Sequence, residues 1–394
     1  MSEPARFPSL DGLRAFSVAA VVWHHAGGST CSDATLAGRG RHGVTLFFAL
    51  SGFLITTLLL RERAATGRIS LGRFYARRTL RIFPLYYATL GVYALLAAWD
   101  AFGAATSRRF FGVLPLYLSY ASNFADDRDA PFGHAWSLAC EEQFYLLWPP
   151  VLAALGPRRG AFVALGALVL NRAFEAGVAA GALSVDAFLV RAVLTLQPAI
   201  VLGVLAALVW ASPAGRRALA PTFARRWSAP LAAAALVGVL AVPVDLDFPA
   251  LADVAAAGLV LACAARPDHV GARLLRWRPI AALGAISYGI YLLHLLVQGA
   301  IGRVAGGALD GRPAARFAAT FAAAAVVAAA SYVVFERPFL RLKRRFAWGA
   351  AAAPAPVVGA SVRRVEDAQP ADHDARRRRP AVGGELELGE AGGL

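Results

Sequence analysis

Charge is what this sequence lacks most. Asp, Glu, Lys and Arg make up 16% of its 394 residues, against 58% hydrophobic residues and a mean hydropathy of +0.54. That is too apolar for a soluble domain to hide, which leaves a polytopic membrane protein. Cysteine is nearly as scarce. Cys31, Cys140 and Cys263 share no metal-ligand spacing, and the last two fall in apolar runs, so neither a disulfide framework nor a metal site is expected. Lysine occurs once among 40 basic residues, which reflects GC-rich coding. The basic residues are spread between apolar runs, so the formal charge of +15 does not point to nucleic acid. No repeat of fixed period is present, which weighs against an inverted-repeat transporter. The N-terminal MSEPARFPSLDG has neither a charged n-region nor a small-residue cleavage site, so the first apolar stretch reads as a retained span.

What the sequence has is long apolar runs. Ten are long enough to be drawn as membrane helices, at about 9–27, 43–60, 82–99, 136–155, 161–181, 188–210, 229–243, 250–265, 280–301 and 316–335. The expected fold is therefore an all-α membrane bundle with about ten spans and both termini on one side. Basic residues choose the side. With a cytoplasmic N-terminus, 29 Lys and Arg fall in inner segments and 7 in outer ones, which predicts cytoplasmic termini. The aromatic stretch at 110–122 in the longest outer loop reads as an interfacial segment or a partial extra span. From about residue 349 the chain turns to Ala, Pro, Gly and an RRRR run, which predicts a disordered cytoplasmic tail, 349–394.

The first run, LDGLRAFSVAAVVWHHAG, carries Arg14 and His25 eleven residues apart. On a helix that is ~1100° of rotation and roughly 16 Å of rise, so the two share one face while His24 points elsewhere. Ionisable residues inside a span usually face the bundle or a polar cavity, which suggests a ligand path; snorkelling of Arg14 to the interface is the plainer alternative. Arg78 and Arg81, at i and i+3, place two guanidinium forks side by side, as a phosphorylated ligand or anionic headgroups would require; Arg77 reads as a positive-inside anchor. In HAWSLACEEQFYLLWPP, Glu141 and Glu142 lie a few residues into a span and must face partners. Adjacent helical residues point about 100° apart, so one is expected to meet the site and the other a structural partner. A carboxylate at that depth, Glu141, matches the outer position of His25 and can orient its imidazole as a general base.

Glu142, His134, Ser51, Ser287, Tyr291 and His294 are further candidates for site lining. Ser51, beside Gly52, reads chiefly as a close helix contact and less as a nucleophile, because no nucleophile-elbow pattern surrounds it. Ser287, Tyr291 and His294 follow i, i+4, i+7 and share a face, either a cavity stripe or a hydrogen-bonded core. His134 reads as a solvated loop or interface histidine close to the glutamates, His42 likewise, and His269 as uninformative.

In this order and spacing, the stretches LDGLRAFSVAAVVWHHAG, GVTLFFALSGFLIT, RRTLRIFPLYY, HAWSLACEEQFYLLWP, ISYGIYLLH and FERPFLR resemble the membrane acyltransferase 3 family, integral-membrane O-acyltransferases that modify sugars and other hydroxyl acceptors. The likeness runs from Ser9 to Leu342 and marks residues 1–348 as a membrane acyltransferase domain. It implies that Arg14 and His25 occupy the family's arginine and histidine positions, Arg78 and Arg81 its paired arginines, and Glu141 the first acid of its EEQFY motif. It also implies a ten-span bundle, acyl-CoA (often acetyl-CoA) as donor substrate rather than a resident cofactor, and a glycan or glycosylated metabolite as hydroxyl acceptor. Thr45 departs from the acidic residue usual in the family's GVDLFF pattern. The chain also ends without the SGNH-type hydrolase domain of some relatives, so transfer would be completed in the membrane domain or passed to another protein.

The function expected is O-acyl transfer in the cell membrane. His25, oriented by Glu141, takes the acceptor proton, while Arg14, Arg78 and Arg81 hold the acyl-CoA. A covalent acyl relay, a secondary transporter of protons or an anionic solute, and a non-catalytic scaffold remain as alternatives.

Overall fold

The computed structural model describes residues 7–28, 31, 35–125, 130–242 and 249–346; the predicted tail lies outside them. The described residues form helices and no strand. In chain order these are α1 Pro8–His25, α2 His42–Thr66, α3 Leu71–Ala98, α4 Ala104–Leu118, α5 Trp136–Ala179, α6 Phe188–Leu194, α7 Pro198–Ala211 and α8 Pro213–Phe223. They continue with α9 Ser228–Leu240, α10 Pro249–Ala265, α11 Ala272–Leu275, α12 Arg278–Ala285, α13 Ser287–Ala305, α14 Pro313–Ser331 and α15 Arg337–Leu342. A π-helical turn, Tyr332–Glu336, joins the last two.

Local chemistry explains many of the boundaries. Proline opens α1, α7, α8, α12 and α14, where its missing N–H has no partner to lose. Gly67, at φ 77°, ends α2 in the left-handed conformation. Gly156, at φ 73° and ψ 176°, breaks α5 just before Pro157, so the runs predicted at 136–155 and 161–181 are the two arms of one kinked element.

Each of the ten predicted runs falls on a helix or a bent pair of helices. Among the described residues four helices are long and apolar enough to cross a membrane, or six if each bent pair, α6 with α7 at 46° and α12 with α13 at 73°, counts as one span. The stretch predicted as interfacial or partly spanning is α4, a 15-residue helix that buries Ser107, Phe110 and Tyr117. Leu146, Leu147, Phe162, Leu189 and Val334 leave more than half of their surface uncovered, an apolar exterior suited to lipid rather than water. The chain is a multi-pass membrane protein.

Three apolar clusters fill the interior, and α2 takes part in all of them. Its tightest neighbour is α7. A Cβ at Gly52 would strike the Ile200 carbonyl, and one at Gly203 the Ala49 carbonyl, so the two backbones touch through glycine on both sides. The Gly52→Ala variant should therefore overpack this crossing and lose about 1–3 kcal/mol. At Gly91 nothing lies within 4 Å of an added Cβ, and Gly91→Ala should be neutral or stabilise by up to about 1 kcal/mol. Thermal midpoints in detergent measure the difference; equal midpoints would contradict the α2–α7 contact.

Candidate functional site

With Gly52 pressed on α7, the preceding residue is turned about 100° around α2, toward α5. Ser51 Oγ donates to Glu141 Oε1 at 2.8 Å, and the Tyr145 hydroxyl stands 3.0 Å from Ser51 Oγ and 3.3 Å from Glu141 Oε2. These three groups border a cavity of about 90 Å³. Arg14 of α1, Arg78 and Arg81 of α3, Glu142 of α5, and Ser287 and Tyr291 of α13 border it too.

Arg78 lies with its guanidinium 4.9 Å from the centre of the Tyr145 ring and 5.8 Å from that of Phe74, a cation–π arrangement. Arg14 pairs with Asp11 at 2.9 Å, one turn back on the same helix. Neither Arg78 nor Arg81 is held in an ion pair among the described residues. Arg14, Arg78 and Arg81 border this one cavity together. Both glutamates border it, because it covers adjacent faces of α5.

The histidines gather beside this cavity rather than in its lining. His25 Nδ1 lies 3.1 Å from the Val21 carbonyl and 3.1 Å from His294 Nε2, and His294 Nδ1 lies 2.6 Å from the Tyr291 carbonyl. A carbonyl oxygen only accepts, so Nδ1 is the protonated nitrogen on both rings. The single Nδ1 hydrogen of His25 is then shared between the Val21 carbonyl and His294 Nε2, and the lone pair of His25 sits on Nε2. The His134 ring packs 5.4 Å from that of His294 and 5.7 Å from that of Tyr291. At 6% exposure His134 is not the solvated residue expected from sequence, because the Gly133–Ala135 turn folds it inward onto Phe132 and α13. His269 is likewise buried, its Nε2 3.0 Å from Ser9 Oγ.

The expected contact between Glu141 and His25 is not formed. Glu141 is taken up by Ser51 and Tyr145, and His25 by His294 and the Val21 carbonyl. Tyr291 joins the two groups: its ring borders the cavity and packs 5.9 Å from His294, while its hydroxyl accepts from Ser137 Oγ at 2.6 Å and donates to the His134 carbonyl at 2.9 Å. Of the stripe Ser287, Tyr291 and His294, the first two line the cavity and the third meets His25.

Sequence reasoning missed Ser137 and Tyr145. Their signal was present: 137, 141 and 145 recur every fourth residue along α5, one polar stripe in an apolar helix. It also missed Glu62, nearly fully buried, which takes Arg77 at 3.0 Å and the Ser70 amide at 3.1 Å. Arg77 donates as well to the Phe346 carbonyl at 2.7 Å, so it is a structural clamp rather than a surface anchor. Thr45, the departure from the family pattern, has its hydroxyl 3.4 Å from His42 Nδ1. Among the described residues no group of three or more His, Cys, Asp or Glu is placed to hold a metal ion.

A family described as an acyltransferase domain matches residues 7–336, which takes in every side chain of the cavity and of the histidine cluster. The chain belongs to this acyltransferase family. Among curated relatives, the putative peptidoglycan O-acetyltransferase YrhL of Bacillus subtilis (strain 168) is 30% identical over 312 residues, 73% of this chain and 48% of that protein. The O-acetyltransferase OatA of Staphylococcus aureus (strain NCTC 8325) is 34% identical over 166 residues, 39% of this chain and 26% of its own. The peptidoglycan O-acetyltransferase OatA of Listeria monocytogenes is 33% identical over 154 residues, 37% of this chain and 24% of its own. This acyltransferase chain thus spans about half, or less, of the length of these relatives. No solved structure matches it.

The clamp around Glu62 gives a stability test. Removing one partner of a buried ion pair leaves the other charge stranded, so Glu62→Ala should cost about 3–5 kcal/mol. At the largely exposed Asp310–Arg316 pair, Asp310→Ala should cost less than about 1 kcal/mol. Thermal denaturation of the two purified variants makes the comparison; equal losses would refute the assignment of Arg77 to a buried clamp.

Proposed function

We propose that this chain is an integral-membrane O-acetyltransferase that moves an acetyl group from acetyl-CoA to a hydroxyl of a cell-envelope glycan, with peptidoglycan sugars as the first acceptors to test. One observation carries the reading: a cavity bordered by three arginines is joined through Tyr291 and then His294 to His25, whose Nε2 lone pair is left for a proton. Planar guanidinium forks suit the phosphates of a nucleotide donor, and among the described residues neither Arg78 nor Arg81 is in a salt bridge with a carboxylate. The names of the relatives supply the glycan.

On this reading the bundle has ten spans, residues 1–348 form the membrane domain, and both termini face the cytoplasm. The kinked α5 supplies two spans, the bent pairs one each, and α1, α9 and α10 the shorter ones. The strong excess of basic residues in the inner segments supports that orientation and a cell-membrane location. The cytosolic donor then enters by the arginines and the acceptor meets His25 at the outer end of α1.

His25 acts as general base. Its Nε2 takes the proton of the acceptor hydroxyl as the oxygen attacks the acyl carbonyl, and the positive charge that develops is shared with His294. His294, rather than Glu141, holds the imidazole in the tautomer that leaves Nε2 basic.

The test is transfer of label from acetyl-CoA to a glycan acceptor by purified protein. His25→Ala should lose about 100- to 10,000-fold in rate, the usual worth of a positioned base. Arg78→Ala and Arg81→Ala should each raise the KM for acetyl-CoA about 10- to 100-fold, with a smaller change in kcat. Flux of protons or an anionic solute in liposomes without acetyl turnover would establish the transporter reading instead.

A further inference from the structure

We propose that Ser51 is the first acceptor of the acyl group, so that transfer runs in two halves through an ester on Ser51 Oγ. The proposal rests on the cavity being the donor site, as argued above. Its own support is geometric. A serine inside a helix commonly returns its hydroxyl to the carbonyl four residues back, as Ser17 does to Leu13 at 2.9 Å. Ser51 instead donates across to the Glu141 carboxylate, which is the relation of a nucleophile to its base. Both groups border the arginine-bearing cavity, whereas the histidines do not. In a single-step mechanism the Glu141–Ser51–Tyr145 arrangement would only hold α2 against α5, whereas in a two-step one it also supplies a nucleophile with its base.

The chemistry balances without a further reactant. In the first half Ser51 Oγ attacks the thioester carbonyl; the new C–O bond forms, the C–S bond breaks, and the serine proton passes to Glu141. The sulfur leaves as thiolate and takes a proton from water. In the second half the acceptor hydroxyl gives its proton to His25 Nε2 and attacks the Ser51 ester. That ester's C–O bond breaks, the acid form of Glu141 returns its proton to Ser51 Oγ, and His25 releases its own to water. The Tyr145 hydroxyl, 3.0 Å from Ser51 Oγ, steadies the leaving oxygen.

Full-length protein in detergent with labelled acetyl-CoA and no acceptor tests this. Label is expected on the protein, in the peptide holding Ser51 by mass spectrometry, and it should persist in His25→Ala and chase onto added acceptor only in the wild type. Initial rates should show parallel double-reciprocal lines. Ser51→Ala should take no label and lose at least about 100-fold in transfer. Ser51→Cys guards against a folding defect: its label should become labile to neutral hydroxylamine, as a thioester is and an oxygen ester is not. Transfer by Ser51→Ala near the wild-type rate, or label on another residue, would overturn the Ser51 step and leave the acetyl-CoA reading standing. A wild-type protein that consumes no acetyl-CoA would overturn both.

Discussion

A carboxylate among apolar helices has to be answered by hydrogen-bond donors, because leaving it against hydrocarbon is expensive. Glu141 is that carboxylate, and the hydroxyls of Ser51 and Tyr145 answer it. The cost of leaving it unanswered selects one relation between α2 and α5. The other side of α2 is then occupied by α7, where Gly52 and Gly203 bring backbone against backbone. Polar satisfaction on one face and close packing on the other fix α2, and with it the wall of the cavity. The arginines follow from this frame. Arg78 lies over the Tyr145 ring because α3 packs against the same arm of α5 in the third apolar cluster.

Much of the architecture could be read before any coordinates. The ten apolar runs fall on helices because length and composition alone determine where a chain of this kind can be helical in lipid. The merging of two runs into α5 was hidden, since a glycine and a proline between apolar stretches mark a kink and a loop equally well. The short helices α9 and α10 do not declare from length alone whether they cross. The cavity residues were legible as a set: a helix that carries Arg14, or Arg78 and Arg81, must turn them inward. Which of them touch one another was not, because a periodicity gives a direction on one helix but not the identity of the helix that faces it.

The pairing of Glu141 with His25 failed for that reason. Matching depth on two spans says that two side chains lie at one level, not that they lie on facing surfaces. The stripe of α5 formed by Ser137, Glu141 and Tyr145 meets α2 through its carboxylate and α13 through Ser137, which holds the Tyr291 hydroxyl. His134 was misjudged by a different route. It lies just outside an apolar run, and residues there are usually solvated; the turn at Gly133–Ala135 folds it under Phe132 instead. Glu62 was overlooked because an acid among several arginines at a helix end looks like surface charge, yet it is one of the most buried polar side chains described.

Two centres of different character therefore lie on either side of Tyr291. One combines guanidinium groups with carboxylates and hydroxyls; the other is built of imidazoles tied to main-chain carbonyls. The carbonyls matter because they cannot donate. Each fixes a proton on Nδ1, so the two rings form a directional pair that ends in the lone pair of His25 Nε2. Because the Val21 and Tyr291 carbonyls sit on α1 and α13, the helices themselves set the tautomers, and movement of α13 against α1 would alter the position of the basic nitrogen. A base aligned in this way does not need Glu141, and a carboxylate not needed there is free to work on Ser51.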